Sequence, residues 1–120
     1  MKEILAKAAK ASLILPLVFL AFSCTSTQLY NWEDYQVDYY KYIKNADANS
    51  MDNLARTYEE IINDQDEARG VVPPGIYADY GWLLIEAGKT EEGKAMLRKE
   101  MELYPESKTF VGSILKRLEK

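Results

Sequence analysis

The residue with the greatest chemical potential in this 120-residue sequence is its single cysteine, Cys24, at the end of the apolar stretch "LAFSCTST". A catalytic thiolate needs a histidine or another base beside it, and the chain contains no histidine. A buried structural cysteine belongs in a periodic element, yet Thr25-Ser26-Thr27-Gln28 has no apolar periodicity. Covalent modification of the sulfur is the remaining chemistry. Carboxylates such as Glu59, Glu60, Asp79 and Glu86 are plentiful, but acid–base catalysis needs them convergent in a pocket with shifted pKa values. Helical spacing places most of them on outer faces, where they serve solubility. The acidic run Asp64-Gln65-Asp66-Glu67 invites a calcium loop, but the register fails: Ala68 and Arg69 stand where a ligand and the glycine are required, and Gly70 comes one place late. No phosphate-binding loop or nucleophile motif is present. The expectation is a protein that is not an enzyme and holds no metal and no cofactor.

Residues 1–23 have the layout of a secretory signal: Lys2, Lys7 and Lys10 at the start, an apolar core from Ala11 to Phe22, and small Ser23 before Cys24. A membrane span needs roughly 20 apolar residues, and extending this run back to Ile4 would draw in Lys7 and Lys10. Ala21-Phe22-Ser23-Cys24 resembles the bacterial lipoprotein box. The resemblance implies that Cys24 becomes an acylated N-terminus anchored in a membrane, and Thr25 after it implies an outer-membrane, periplasm-facing location. Each buried methylene contributes about 0.8 kcal/mol, so two or three acyl chains make a lasting anchor where one is marginal. The organisation read from this is a signal at 1–23, a lipidated tether at 24–30 and a folded domain at 31–120. Removing residues 1–23 changes the net charge from −4 to −6. So acidic a domain is poorly suited to phosphate backbones, which excludes nucleic acid as the expected partner. A lone cysteine also leaves no internal disulfide.

The remainder reads as about five helices with no strand-like alternation, an all-α bundle. "LYNWEDYQVDYYKYIK", Leu29 to Lys44, holds five of the nine tyrosines. Trp32, Tyr35, Tyr39, Tyr42 and Ile43 recur at helical spacing, with Glu33, Asp34, Asp38 and Lys41 opposite, which predicts a helix over Glu33–Lys44. Tyr30 and Tyr40 fit that stripe least well and are surface candidates. Ser50 is placed to cap a helix from Met51, with Leu54, Tyr58, Ile61 and Ile62 on its apolar face and Gly70 as its stop. Pro73-Pro74 opens the next helix, with Ile76, Tyr80, Leu83 and Leu84 apolar, ending at Gly88. Thr90 caps Glu91–Leu103, and Pro105 stops it. Ser107 caps Lys108–Glu119, with Phe110, Val111, Ile114, Leu115 and Leu118 apolar.

The central helix pair resembles one tetratricopeptide unit: Gly81 and Gly93 take its small-residue places, Gly88 the turn, Leu97 the large apolar place and Pro105 the final proline, while Glu100 stands where alanine is usual. A mid-helix glycine costs up to about 1 kcal/mol against alanine, which is tolerable where two backbones must approach closely. A lone unit cannot bury both faces, so the flanking helices are expected to cover it. Trp82 and Ile85 point by register toward the concave side. Either the aromatic N-terminal helix covers them or they line a ligand groove.

With "LYNWEDYQ", "VVPPGIYADYGWLLIEAGKTEEG" and "EMELYPESKTFVGSIL", the chain resembles the small lipoproteins of domain-of-unknown-function family 4810. That resemblance implies a periplasm-facing outer-membrane lipoprotein with tetratricopeptide-like helices and no assigned activity, an accessory to other envelope proteins such as secretion- or assembly-type lipoprotein complexes. With no catalytic equipment in the chain, a non-enzymatic helical adaptor is the expectation. Candidate contacts are Trp82, Ile85, Tyr30 and Tyr40. The alternative is a small ligand, peptide or peptidoglycan fragment bound in the concave groove.

Overall fold

The computed structural model describes residues 1–8 and 27–120. The cut after Ser23, Cys24 and Thr25 lie outside the described residues. No helix among those described is long and apolar enough to cross a membrane. From Tyr35 onward five α-helices follow in order: α1 (Tyr35–Asn45), α2 (Ala48–Asn63), α3 (Ile76–Glu86), α4 (Thr90–Leu103) and α5 (Lys108–Leu118), with a 3-10 turn at Pro105–Ser107 before the last. Among the described residues there is no strand, and the fold is all-α. Each helix packs on the next, and α3 with α4 makes the most extensive contact.

That contact is made by glycines. A Cβ built on Gly81 would lie 2.7 Å from the Gly93 carbonyl oxygen, and one built on Gly93 would strike the Gly81 carbonyl oxygen and sit 2.5 Å from Ile85 Cγ1. The two backbones therefore touch at a distance only hydrogen side chains permit. Gly88 closes the hairpin at φ +84°, and the next N–H, of Lys89, donates back to Leu84 O at 2.8 Å. The core divides on either side of this contact. Leu54, Tyr58 and Ile61 of α2 meet Ile76, Tyr80, Leu83 and Leu84 of α3, while Leu97 of α4 meets Val111 and Leu115 of α5.

Helix boundaries depart from the sequence expectation where side chains compete for backbone groups. Asp47, rather than Ser50, caps α2: its carboxylate accepts the Ser50 N–H at 2.7 Å, and Ser50 Oγ accepts the Asp47 N–H at 3.3 Å, a reciprocal box. The helix stops at Asn63, well short of Gly70, which instead turns a loop at φ +58°. Thr90 and Ser107 cap nothing; the Ser107 hydroxyl donates to Tyr104 O at 2.7 Å. The lead-in Pro73-Pro74-Gly75 leaves α3 without a local side-chain cap. Glu100 reaches across from α4 and accepts the Gly75 N–H at 2.8 Å, which gives a carboxylate within the helix a structural role. Burial pushes its carboxyl pKa up, against the lowering pull of the Gly75, Tyr77 and Ala78 N–H groups.

Helix α1 is turned from its expected orientation. Asp38, placed outside by periodicity, is buried and accepts from Thr57 Oγ1 at 2.7 Å and Lys41 Nζ at 3.0 Å. Ile43, expected inside, is 61% exposed, and Tyr39 and Trp32 are also exposed. Tethering one acidic side chain to a buried threonine rolls the helix, because a buried carboxylate without donors costs more than an exposed isoleucine.

Two outcomes are expected. Gly93→Ala should destabilise by about 1–3 kcal/mol through overpacking, whereas Gly112→Ala, whose Cβ would meet only Met101 Sδ at 3.8 Å, should be neutral or stabilising by up to about 1 kcal/mol; urea unfolding compares them. Asp38 has a carboxyl held below its ordinary 3.8 by the Thr57 hydroxyl first, with Lys41 adding and burial opposing. Its contribution is thus present above that value and lost as pH falls through the lowered one. Asp38→Asn should remove that part of the acid limb in melts run from about pH 6 to about pH 2. Asp79 and Glu100, both raised, work with the opposite sign and lose stability as pH rises.

Candidate functional site

Asp79, Trp82 and Glu86 stand at i, i+3 and i+7 on α3, one face of a helix. Trp82 is 47% exposed between two clefts and lines both. On one side a groove of about 670 Å3 separates α3 from α5, lined by Ala78, Asp79 and Trp82 facing Phe110, Ile114 and Arg117. Phe110, expected in the core, is 72% exposed here, because α5 spends Val111 and Leu115 on α4 and turns Phe110 away. Its aromatic ring and that of Trp82 make this an apolar groove.

On the other side α1 approaches. Tyr35 Oη donates to Asp79 Oδ2 at 3.3 Å, Tyr42 Oη to Glu86 Oε2 at 2.7 Å, and Trp82 Nε1 to Glu86 Oε1 at 3.0 Å. The aromatic helix therefore reaches the Trp82 face at two points without covering it, and leaves a second cleft of about 250 Å3 lined by Tyr39, Tyr42, Tyr58 and Trp82 with Asp79 and Glu86. Behind it runs a chain of rings, Tyr39 on Tyr35 at 5.4 Å between centroids, Tyr35 on Tyr58 at 5.8 Å and Tyr58 on Tyr80 at 5.6 Å. Offset and tilted pairs of this kind add stability beyond their buried area. Tyr80 ends the chain by donating to Glu59 Oε1 at 2.6 Å. Burial pushes the Tyr35 phenol up to about 12, with the Asp79 charge adding. Loss of solvent likewise raises the Asp79 carboxyl, opposed by the Tyr35 hydrogen bond. Asp79 and Glu86 line this cleft while staying exposed to solvent, as Glu59 and Glu60 are.

The sequence candidates separate. Trp82 is at the site, and Tyr40 is 64% exposed on the far side of α1. Ile85 is not a groove residue; it is half-buried against Gly93 and the α4–α5 core, because the glycine contact draws its neighbours inward. Tyr30 is not a free surface either. The Arg69 guanidinium sits 5.6 Å over its ring, and the Arg69 N–H donates to Leu29 O at 3.1 Å. These bonds tie Leu29 and Tyr30, expected in the tether, to the α2–α3 loop, where Gln65 Nε2 also donates to Asn31 O at 2.8 Å. Asp79, Glu86 and Phe110 were missed as site residues, although the i, i+3, i+7 spacing around Trp82 was visible. Among the described residues no group of three or more cysteine or carboxylate side chains is placed to hold a metal ion.

Truncation of a half-exposed ring and of a buried one should differ sharply. Trp82→Ala should cost less than about 1 kcal/mol, while Tyr58→Ala, with Tyr58 1% exposed, should cost about 3–5 kcal/mol; denaturant midpoints measure both.

No curated protein and no solved structure matches the chain. A family model does, over residues 29–114, from the first residue tied to the α2–α3 loop to the α5 face of the groove. The chain belongs to the family described as domain of unknown function DUF4810.

Proposed function

We propose that the protein is a non-enzymatic adaptor, held at the bacterial outer membrane through an acylated Cys24 and presenting a tetratricopeptide-like helical domain to other envelope proteins, as an accessory of a secretion- or assembly-type lipoprotein complex. The observation behind this reading is the open apolar groove between α3 and α5, with Trp82 and Phe110 exposed in one lining. Large aromatic side chains left in water by a folded domain mark contact surfaces more than packing. The anchor follows from the residues before Cys24 and from the cost of pulling two or three acyl chains out of a bilayer.

A second reading has the same groove take a small ligand, peptide or peptidoglycan fragment, favoured by its volume of about 670 Å3, within the range of sites that enclose small molecules. A ligand-dependent rise in melting temperature with muropeptides, and no stable protein partner, would select it.

Affinity capture from detergent-solubilised envelopes should recover a specific protein with the wild type and lose it with Trp82→Ala/Phe110→Ala, while both stay folded. A partner retained by the double variant would count against the groove. Mass spectrometry of the membrane form should show an acylated N-terminal Cys24, and Cys24→Ser should shift the protein to the soluble fraction.

A further inference from the structure

The smaller cleft holds an imbalance of charge. Its walls are aromatic, and aromatic faces attract cations placed within about 6 Å of the ring centre. Two carboxylates, Asp79 and Glu86, share the lining. Asp38 pairs with Lys41 at 3.0 Å and Glu91 with Lys94 at 2.9 Å, but most carboxylates among the described residues have no basic partner within 4.0 Å. Among the described residues, no lysine or arginine nitrogen lies within 4.0 Å of Asp79 or Glu86. The hydrogen bonds these two receive come from neutral groups, the Tyr35 and Tyr42 hydroxyls and the Trp82 indole. Arg117 lines the adjoining groove instead, and Lys41 is held by Asp38. Tyrosines and a tryptophan thus surround two carboxylates that have no basic side chain within 4.0 Å among the described residues.

The kind of cation follows from the geometry. Seven residues apart, Asp79 and Glu86 are separated by roughly 10 Å along the helix axis, too far to ligate one metal ion with oxygens at about 2.0–2.6 Å. An organic cation between them, over the Trp82 ring, would lie within Coulombic reach of both. The volume of about 250 Å3 is below the roughly 300–1,000 Å3 of sites that enclose whole small molecules, and suits the end of one side chain. Asp79 and Trp82 line both clefts, so a chain lying in the larger groove passes the mouth of the smaller one.

We propose that this cleft is an aromatic–carboxylate cage for a lysine or arginine side chain projecting from the partner segment that occupies the adjoining groove. The inference rests on the adaptor reading and names what the adaptor recognises: an apolar residue against Phe110 and Trp82, followed by a cation between Asp79 and Glu86. A net charge of −4 over the whole chain favours the approach of such a basic segment.

The test titrates the intact protein in detergent micelles with Nα-acetyl-lysine methylamide, the arginine analogue and the neutral norleucine analogue at constant ionic strength, and follows amide and indole resonances by NMR. The cationic amides should shift the Trp82 indole N–H saturably, with the Trp32 indole as an internal control. Asp79→Asn and Glu86→Gln, singly and together, should weaken binding, the pair by at least about tenfold, with circular dichroism unchanged. Equal shifts from the norleucine analogue, or none from either cation, would overturn the cage whatever the capture experiment yields. A captured partner indifferent to the double substitution would also overturn it and leave the adaptor reading standing. Saturable cation binding with no captured partner would overturn the assignment of that cation to a partner protein.

Discussion

Helices α3 and α4 meet through two glycines, and the position of every other feature follows from that contact. With no Cβ at Gly81 or Gly93, each backbone carbonyl lies against the other helix, closer than packed side chains allow. The approach draws Ile85 and Leu97 into the seam and leaves Trp82, on the adjacent face of α3, outside it. The α4 face away from α3 then accepts Val111 and Leu115 of α5. Because α5 rests on α4 rather than on α3, a groove opens between α3 and α5. The groove is a consequence of where two backbones touch.

Polar groups decide what the aliphatic core leaves open. Asp38 of α1 is bound to Thr57 of α2, and this bond sets the roll of α1. Glu100 of α4 is bound to the first turn of α3, which its own proline and glycine lead-in cannot cap. Hydrogen bonds in a protein interior contribute about 1 kcal/mol net, but leaving one member unpaired costs more. Their effect on geometry is therefore stronger than their effect on total stability suggests. With that roll Ile43 lies at the surface, beside Val37 and Tyr40, while Tyr35 and Tyr42 face α3. The aromatic cleft owes its walls to that rotation.

Much of the architecture was legible from residue order. Helix content, the α3–α4 hairpin and the turn at Gly88 follow from periodicity and from glycine and proline placement. What failed did so where two local signals competed. Asp47 and Ser50 are both good caps, and which leads depends on reciprocal hydrogen bonding. The stretch from Asp64 to Gly70 continues a helical pattern in composition, yet its Arg69 N–H turns to Leu29 O and its Gln65 side chain to the Asn31 backbone, 34 or more residues back. Phe110 looks like a core residue by type, and only the choice of α4 as the α5 partner sends it to solvent.

The amino-acid order alone determined the all-α class, the family, the acidic balance and the places of the glycines, because each depends on residue type and short-range spacing. Tertiary structure alone decided that Asp79 and Glu86 converge with four rings on one cleft, that Ile85 and Tyr30 are taken into packing, and that Asp38 lies inside. Those outcomes depend on the rotation of whole helices about their axes. A periodic stripe defines that rotation only to within about one residue, some 100°, and long-range hydrogen bonds complete it.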